Sequence, residues 1–412
     1  MKIRILYLSS SWPHGTSFGG QLRALHVCRA LKQVGEVTVV VVGSDATDTF
    51  AQTKTSREFS ILPPVYPQVV PNRGLLKKVR WALDPSYLNL HGYVASLTDR
   101  ARVMSYLSEY DLVWILNSRV PSILQRWGWL HSHLDVDDVP STYFRSLAHN
   151  QRGIASRLKA RIYRVLAKRR ELMFMRRFTT LSVCSDEDWG YLGGGDRIHV
   201  IPNGFERPAS VPVPKPLAKE PRIGFIGLCS YPPNADGVRW FLRDVWPTIR
   251  QAVTGIRFRL IGKNAEDLVD PRNSDVDALG WVEDPATEIG TWSVMAIPIR
   301  FGGGTRVKIA DAFSRKCPVV STSFGAFGYG VEDGRQLRLA DMPEEFAAAC
   351  IELVRDRDRA AAMAERAWSE FVEKWTWNAI APRIWAAAED CLCRSSQGRP
   401  ESRRMSSILN PA

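Results

Sequence analysis

The sequence predicts an α/β protein made of two doubly wound domains in succession, and three observations predict it. Short apolar runs alternate with helix-period segments along most of the 412 residues, the pattern of parallel strands joined by crossover helices. That pattern breaks once, at a polar stretch with five prolines between residues 205 and 221, and then starts again. In the second half a strand runs into three consecutive glycines at the head of a helix and is followed at once by another strand, a βαβ unit.

Residues 2–9 (KIRILYLS) read as the opening strand, and QLRALHVCRALKQVG as an amphipathic helix in which Leu22, Leu25, His26, Arg29 and Leu31 keep helical spacing and Gly35 closes the end. The turn between them carries Gly19 and Gly20, a weak signal alone because GxGxxG spacing is absent. Residues 37–42 (VTVVVV) form a strand of the kind buried on both faces. From 45 to about 71 the chain reads as an irregular excursion, and 74–83 (GLLKKVRWAL) as basic and amphipathic. Residues 111–116 are the next strand, a short helix follows near Pro121, and 133–138 (HLDVDD) is a strand ending in acids. Asp135, Asp137 and Asp138 invite two readings, a DxD that holds a divalent metal against a diphosphate, or active-site and capping carboxylates at a strand's C-terminal end. The second is favoured, because a phosphate site with its own cations lies elsewhere.

Residues 151–177 hold ten Arg or Lys and one acid, Glu171, with Ile154, Leu158, Ile162 and Val165 at helical spacing. An anionic membrane surface is one partner for such a helix; the other reading is a solvated basic helix packed by its apolar stripe. A strand at 180–185 and VIPNG at 200–204 complete the first half. After the proline stretch come RIGFIG at 222–227, a YPPNADG turn, a helix GVRWFLRDVWPTIRQA, and strands at 256–262 and 276–281. Helices are expected at 344–357, 359–374 and 375–393, with a disordered tail over 394–412, where Ser and Arg replace apolar residues.

The block VMAIPIRFGGGTRVKIADAFSRKCPVVST, 294–322, is where chemistry concentrates. Gly302, Gly303 and Gly304 allow close approach to the backbone, Thr305 is placed to cap a helix running to about Lys316, and the helix N-terminus favours an anion. Arg306 and Lys308 add positive charge there. Asp311 lies roughly 9 Å further along the axis, a reach that suits ribose hydroxyls when a diphosphate occupies the turn. A surface turn with a solvated charged face is the competing reading of this stretch alone.

Composition narrows the rest. No apolar run approaches the roughly 18 residues of a spanning helix, and the apolar part of the N-terminus is too short for a secretory signal, so a cytoplasmic location is expected. Seven scattered cysteines read as reduced core thiols, and the CxC of Cys391 and Cys393 lacks the second pair a metal site needs. A net charge of +12 calls for anionic lipid, nucleic acid or phosphorylated substrates as partners. An NAD-dependent oxidoreductase is disfavoured, since no GxGxxG follows the first strand with an acid about 20 residues on.

These residues resemble the large family-four group of GT-B glycosyltransferases. The resemblance runs from the opening strand and GG turn through VIPNG, YPPNADG, LGWVEDP, FGGGTRVKIADAF and PVVST to the final helix; the linked FGGGTR, helix and PVVST are its specific part. It implies two Rossmann-like domains facing a central cleft: 1–205 on the acceptor side, a linker at 206–221, the nucleotide-sugar-binding domain at 222–375, and a helix at 376–393 packing back on the first domain. It implies that Gly302 to Thr305 meet the donor diphosphate, Arg306 and Lys308 neutralise it, Asp311 holds the ribose, and Gly19 and Gly20 approach from the N-terminal side. Asp137 and Asp138 replace the family's frequent His-Asp and are expected near acceptor or sugar. The family usually has Glu at position 311, an acid at 303 in the Glu, seven residues, Glu pattern, and an acid at 327 within GAEG; here stand Asp311, Gly303, as in the family's Gly-triplet branch, and Phe327. The implied activity is retaining sugar transfer from a nucleotide-diphosphate sugar to a glycan, lipid-linked or polysaccharide acceptor, without metal; the basic surface adds the cytoplasmic membrane face, and neither a cofactor nor a nucleic-acid partner is expected. The departures at 311 and 327 motivate a second reading, a catalytically silent nucleotide-sugar-binding scaffold in glycan assembly.

Overall fold

The computed structural model describes residues 2–15, 19–69, 93–126, 128–129, 131–151, 153–212 and 220–397. The basic segment at 74–83 and residues 213–219 of the proline stretch lie outside the described residues. Two compact units emerge, one of residues 1–141, 163–201 and 381–412, the other of 142–162 and 202–380. The expected N-terminal domain, 1–205, thus differs from the first unit by residues 142–162 and 202–205, which join the second, and by residues from 381 onward, which join the first.

In chain order the first part contains β1 (Arg4–Ser9), α1 (Gly19–Leu31), β2 (Glu36–Val41), α2 (Thr49–Ser56), β3 (Ser60–Ile61), β4 (Gln68–Val69), β5 (Tyr93–Val94), α3 (Leu97–Tyr106), β6 (Leu112–Leu116), α4 (Arg119–Leu124), β7 (Ser132–Asp137), α5 (Pro140–Asn150), α6 (Ile154–Arg177), β8 (Thr180–Val183), α7 (Asp186–Leu192) and β9 (Ile198–Val200). Seven of the strands make one sheet, β3-β2-β1-β6-β7-β8-β9, parallel throughout. β1 and β6 are buried almost end to end, which is why they read as unbroken apolar runs. The excursion at 45–71 is more regular than expected. Asp48 accepts the amide of Ala51 and starts α2, and β3 then pairs with β2.

The second part contains β10 (Arg222–Ile226), α8 (Pro232–Trp240), α9 (Trp246–Ala252), β11 (Arg257–Ile261), β12 (Val276–Gly280), α10 (Ala286–Ile289), β13 (Val294–Ile297), α11 (Val307–Ser314), β14 (Val319–Ser321), β15 (Arg338–Leu339), α12 (Pro343–Arg355), α13 (Arg357–Glu370) and α14 (Trp377–Gln397). Its sheet is also parallel, in the order β12-β11-β10-β13-β14-β15. A core around Phe225, Phe241, Phe258, Phe313 and Phe346 fills the space between sheet and helices.

Three boundaries here differ from the sequence reading. YPPNADG is helical and not a turn, because Pro232 and Pro233 occupy the first positions of α8, where a missing N–H costs nothing. The expected helix beyond it is divided by a π-helical turn at Phe241–Val245 before α9. At the other end, α14 continues to Gln397, where Arg394 bonds to both Asp390 and Asp196, so residues 394–397 are helix and not tail. Residues 398–412 lie outside the described residues.

Candidate active site

Chain order in the second sheet reverses between β10 and β13, and in an open α/β sheet ligands bind outside the carboxyl ends of the strands at that point. The turns leaving those two strands therefore define the candidate site. After β10 comes Gly227, where a Cβ would lie 2.8 Å from the Asn234 amide and 3.1 Å from Lys308 Nζ, so the absent side chain leaves room for both. After β13 comes the glycine turn. Gly302 has φ 149° and Gly304 φ 60°, conformations open to glycine and strained for other residues.

Thr305 does not cap the helix. Arg306 is the N-cap of α11 and makes no side-chain capping bond, and the helix ends at Ser314 instead of near Lys316. The Thr305 hydroxyl instead accepts the side-chain amide of buried Asn203 at 3.2 Å, which gives the VIPNG motif a direct job at the turn. Arg306 is buried and folds back on its own loop. Its Nη1 donates to the carbonyls of Gly303 (2.9 Å) and Gly304, its guanidinium lies 4.8 Å from the Phe324 ring centre, and its carbonyl accepts the Tyr329 hydroxyl at 3.0 Å.

Lys308, two residues further and in the first turn of α11, is half-buried. Its ammonium donates to Asn234 Oδ1 at 2.9 Å and sits 4.1 Å from the Phe225 ring centre. Desolvation, and then the neighbouring Arg306 charge, push its pKa down to about 7. Asp311 is buried on the inner side of α11 and accepts Arg315 Nε at 2.6 Å; burial raises its pKa although Arg315 opposes the shift. Gly302, Gly303, Gly304, Thr305, Arg306, Lys308 and Asp311 thus gather within one βαβ unit.

The remaining candidates belong to the first unit, whose sheet order reverses between β1 and β6. Gly19 and Gly20 form the first turn of α1, and the space where a Gly20 side chain would stand is open. At the end of β7 the pairing with β8 shifts register between Asp135 and Asp137, and Asp137 has φ 59°. That bulge separates three acids that look equivalent in the sequence. Asp135 is fully buried, bound by Arg23 at 2.7 and 3.0 Å and by the Ser182 hydroxyl at 2.9 Å. Asp137 is half-buried, accepts the Cys184 thiol at 3.0 Å and lies 3.8 Å from Arg23, while Asp138 is exposed. His133 bridges the hydroxyls of Thr180 and Ser182, and burial holds its pKa well below the usual value, so the ring is neutral.

Sequence reasoning missed Asn203 and Asn234 as individual residues, although both stand in motifs it singled out. It also missed Arg300, whose guanidinium pairs with Asp236 at 2.7 Å over the Trp240 ring, and Ser146 and Asn150 of α5, which bond to the backbone of residues 300 and 302.

Two parallel sheets in two doubly wound units, the second with a glycine turn at its reversal point, define the GT-B class of fold. Residues 220–356 match the family described as "Glycosyl transferases group 1". Two solved structures share the fold. HepE of Anabaena in complex with UDP-glucose is 16% identical with TM-score 0.62, the match covering 94% of this chain and 99% of that one. Sucrose-phosphate synthase of Thermosynechococcus elongatus is 13% identical with TM-score 0.67, covering 95% and 100%. An uncharacterized 44.6 kDa protein in the cps region of Klebsiella pneumoniae is 23% identical over 363 residues, 84% of this chain and 89% of that protein. The matched domain and the fold together support a glycosyltransferase.

Proposed function

We propose that the protein moves a sugar from a nucleotide-diphosphate sugar to a glycan, lipid-linked or polysaccharide acceptor, with retention at the anomeric carbon and without a metal, as a member of the Gly-triplet branch of its group. One observation carries the reading: a glycine turn at the reversal point of the second sheet opens a helix whose first turn bears Lys308. A diphosphate seated there meets the N–H groups and dipole of α11 together with a lysine ammonium, and both stabilise the negative charge of a departing nucleoside diphosphate. Arg306 contributes once its guanidinium leaves the Gly303 and Gly304 carbonyls. Asp311 is the ribose partner in this reading, with Arg315 orienting its carboxylate. Gly19, Gly20, Asp137 and Asp138 serve the acceptor or transferred sugar. The HepE crystal holds UDP-glucose, so UDP sugars are the first donors to test. Transfer or donor hydrolysis above background supports the enzyme; donor binding with neither makes the chain the nucleotide-sugar-binding scaffold that Asp311 and Phe327 suggest.

The same reading places the enzyme on an anionic membrane surface, and helix α6 supports it. Its inward side is Ala160, Ala167 and Phe174, whereas Ile154, Leu158, Ile162 and Val165 are 85, 58, 53 and 67% exposed among the exposed Arg157, Lys159, Arg161 and Arg164. The stripe is therefore not what packs this helix. An exposed apolar row flanked by cations suits the interface of an anionic bilayer. Among the described residues no helix is long and apolar enough to cross a membrane.

A further inference from the structure

Three glycines in a row hold no shape by themselves. Glycine loses more conformational freedom on ordering than any other residue, so a turn that must present its N–H groups to a ligand needs fixing from outside. The fixing comes from α5, a segment that precedes the matched domain in sequence by some seventy residues and belongs with it to the second unit from Thr142 onward. Tyr143, Ser146 and Asn150 stand at i, i+3 and i+7, one face of the helix, and they meet three consecutive residues. The Asn150 side-chain amide donates to the Arg300 carbonyl. The Tyr143 and Phe301 rings meet edge to face with centres 6.4 Å apart. Gly302 donates its N–H to Ser146 Oγ at 3.1 Å, and the Ser146 hydroxyl proton is shared between the carbonyls of Gly302 at 3.0 Å and Tyr143 at 2.8 Å. Arg300 is held on its other side by Asp236, so the entry to the turn is fastened at backbone and side chain alike.

We infer that α5 is the clamp of the donor turn, with Ser146 and Asn150 as positioning residues that set the conformation of Gly302 and hence donor affinity, without touching the donor themselves. The inference rests on the donor-site reading above. Its consequence is that residues 220–356 hold only part of what shapes their own glycine turn, the rest coming from α5.

The test uses the full chain with Ser146→Ala, Ser146→Thr and Asn150→Ala, each checked for an unchanged unfolding transition without ligand. In Ser146→Ala, hydrogen exchange over residues 300–304 of the ligand-free protein speeds up, because Gly302 loses its acceptor, and Ser146→Thr restores it. Titration with UDP, GDP and ADP finds the nucleotide that binds the wild type. Ser146→Ala and Asn150→Ala then bind it roughly five- to tenfold more weakly, the scale of one lost hydrogen bond, and Ser146→Thr recovers. Unchanged exchange, or variants that bind as tightly as a binding wild type, overturn the clamp alone. A wild type that binds none of the three overturns the donor reading and takes the clamp with it.

Discussion

Lys308 is the residue whose surroundings say most about how the site works. A lysine with pKa about 7 is charged below neutrality and largely neutral above it, but a diphosphate bound against it favours the ammonium. Binding then takes up a proton at alkaline pH, so nucleotide affinity is flat below about pH 7 and falls by up to roughly tenfold per unit above it. Calorimetric titration from pH 6 to 9 in buffers of different ionisation enthalpy checks the slope, and Lys308→Met abolishes it. For the ligand-free fold, this depressed pKa makes the lysine's contribution largest above the unfolded value near 10.4 and loses it as pH falls through about 7. Lys308→Ala weakens nucleotide binding about ten- to hundredfold while the protein stays folded, since the lost contact is one charge-assisted bond; unchanged binding and transfer would sink the donor site. Arg23 presents the opposite case. It is fully buried with Asp135, and removing one partner of such a pair leaves an uncompensated carboxylate, at a cost of about 3–5 kcal/mol. Arg23→Met therefore lowers the urea midpoint sharply, and the double variant Arg23→Met, Asp135→Leu regains much of the loss.

At the scale of elements, the acids of β7 show how much one bulge decides. DVDD offers three carboxylates by sequence, yet past the register shift against β8 Asp135 is committed to Arg23, Asp137 is half-buried against the Cys184 thiol, and Asp138 is exposed. The pattern of residue types gave no sign of that division, because a bulge depends on how the neighbouring strand pairs. Helix α6 carries the element-scale prediction. Sedimentation with vesicles rich in anionic lipid pulls down the wild type, and neutralising the exposed cations Lys159, Arg161, Arg164 and Arg169 or changing Ile154, Leu158 and Ile162 to Ser reduces it. Binding that survives both sets of changes assigns the surface to something other than α6. Salt weakens the interaction in either case, as exposed charges are screened within about 8–10 Å.

For the whole molecule, the decisive measurement is thermal unfolding against UDP, GDP, ADP and CMP and their sugar conjugates. A ligand at about 100 times its dissociation constant adds about 2.7 kcal/mol, enough to move the midpoint by several degrees. One nucleotide family shifting the midpoint narrows the donor at once; no shift with any of them removes both the transferase and the scaffold readings. The sequence by itself determined the two parallel sheets, the break between them and the position of the glycine turn, because apolar period, proline content and glycine runs are local properties that act within a few residues. Tertiary structure alone decided who holds that turn and which charges face it. Ser146 lies 156 positions from Gly302 and Asn203 102 from Thr305, and Arg306 turns inward to its own loop instead of outward. Such pairings follow from how the sheets bring distant segments together, and a hydroxyl or amide looks the same in sequence whether it meets water or the backbone of a glycine turn.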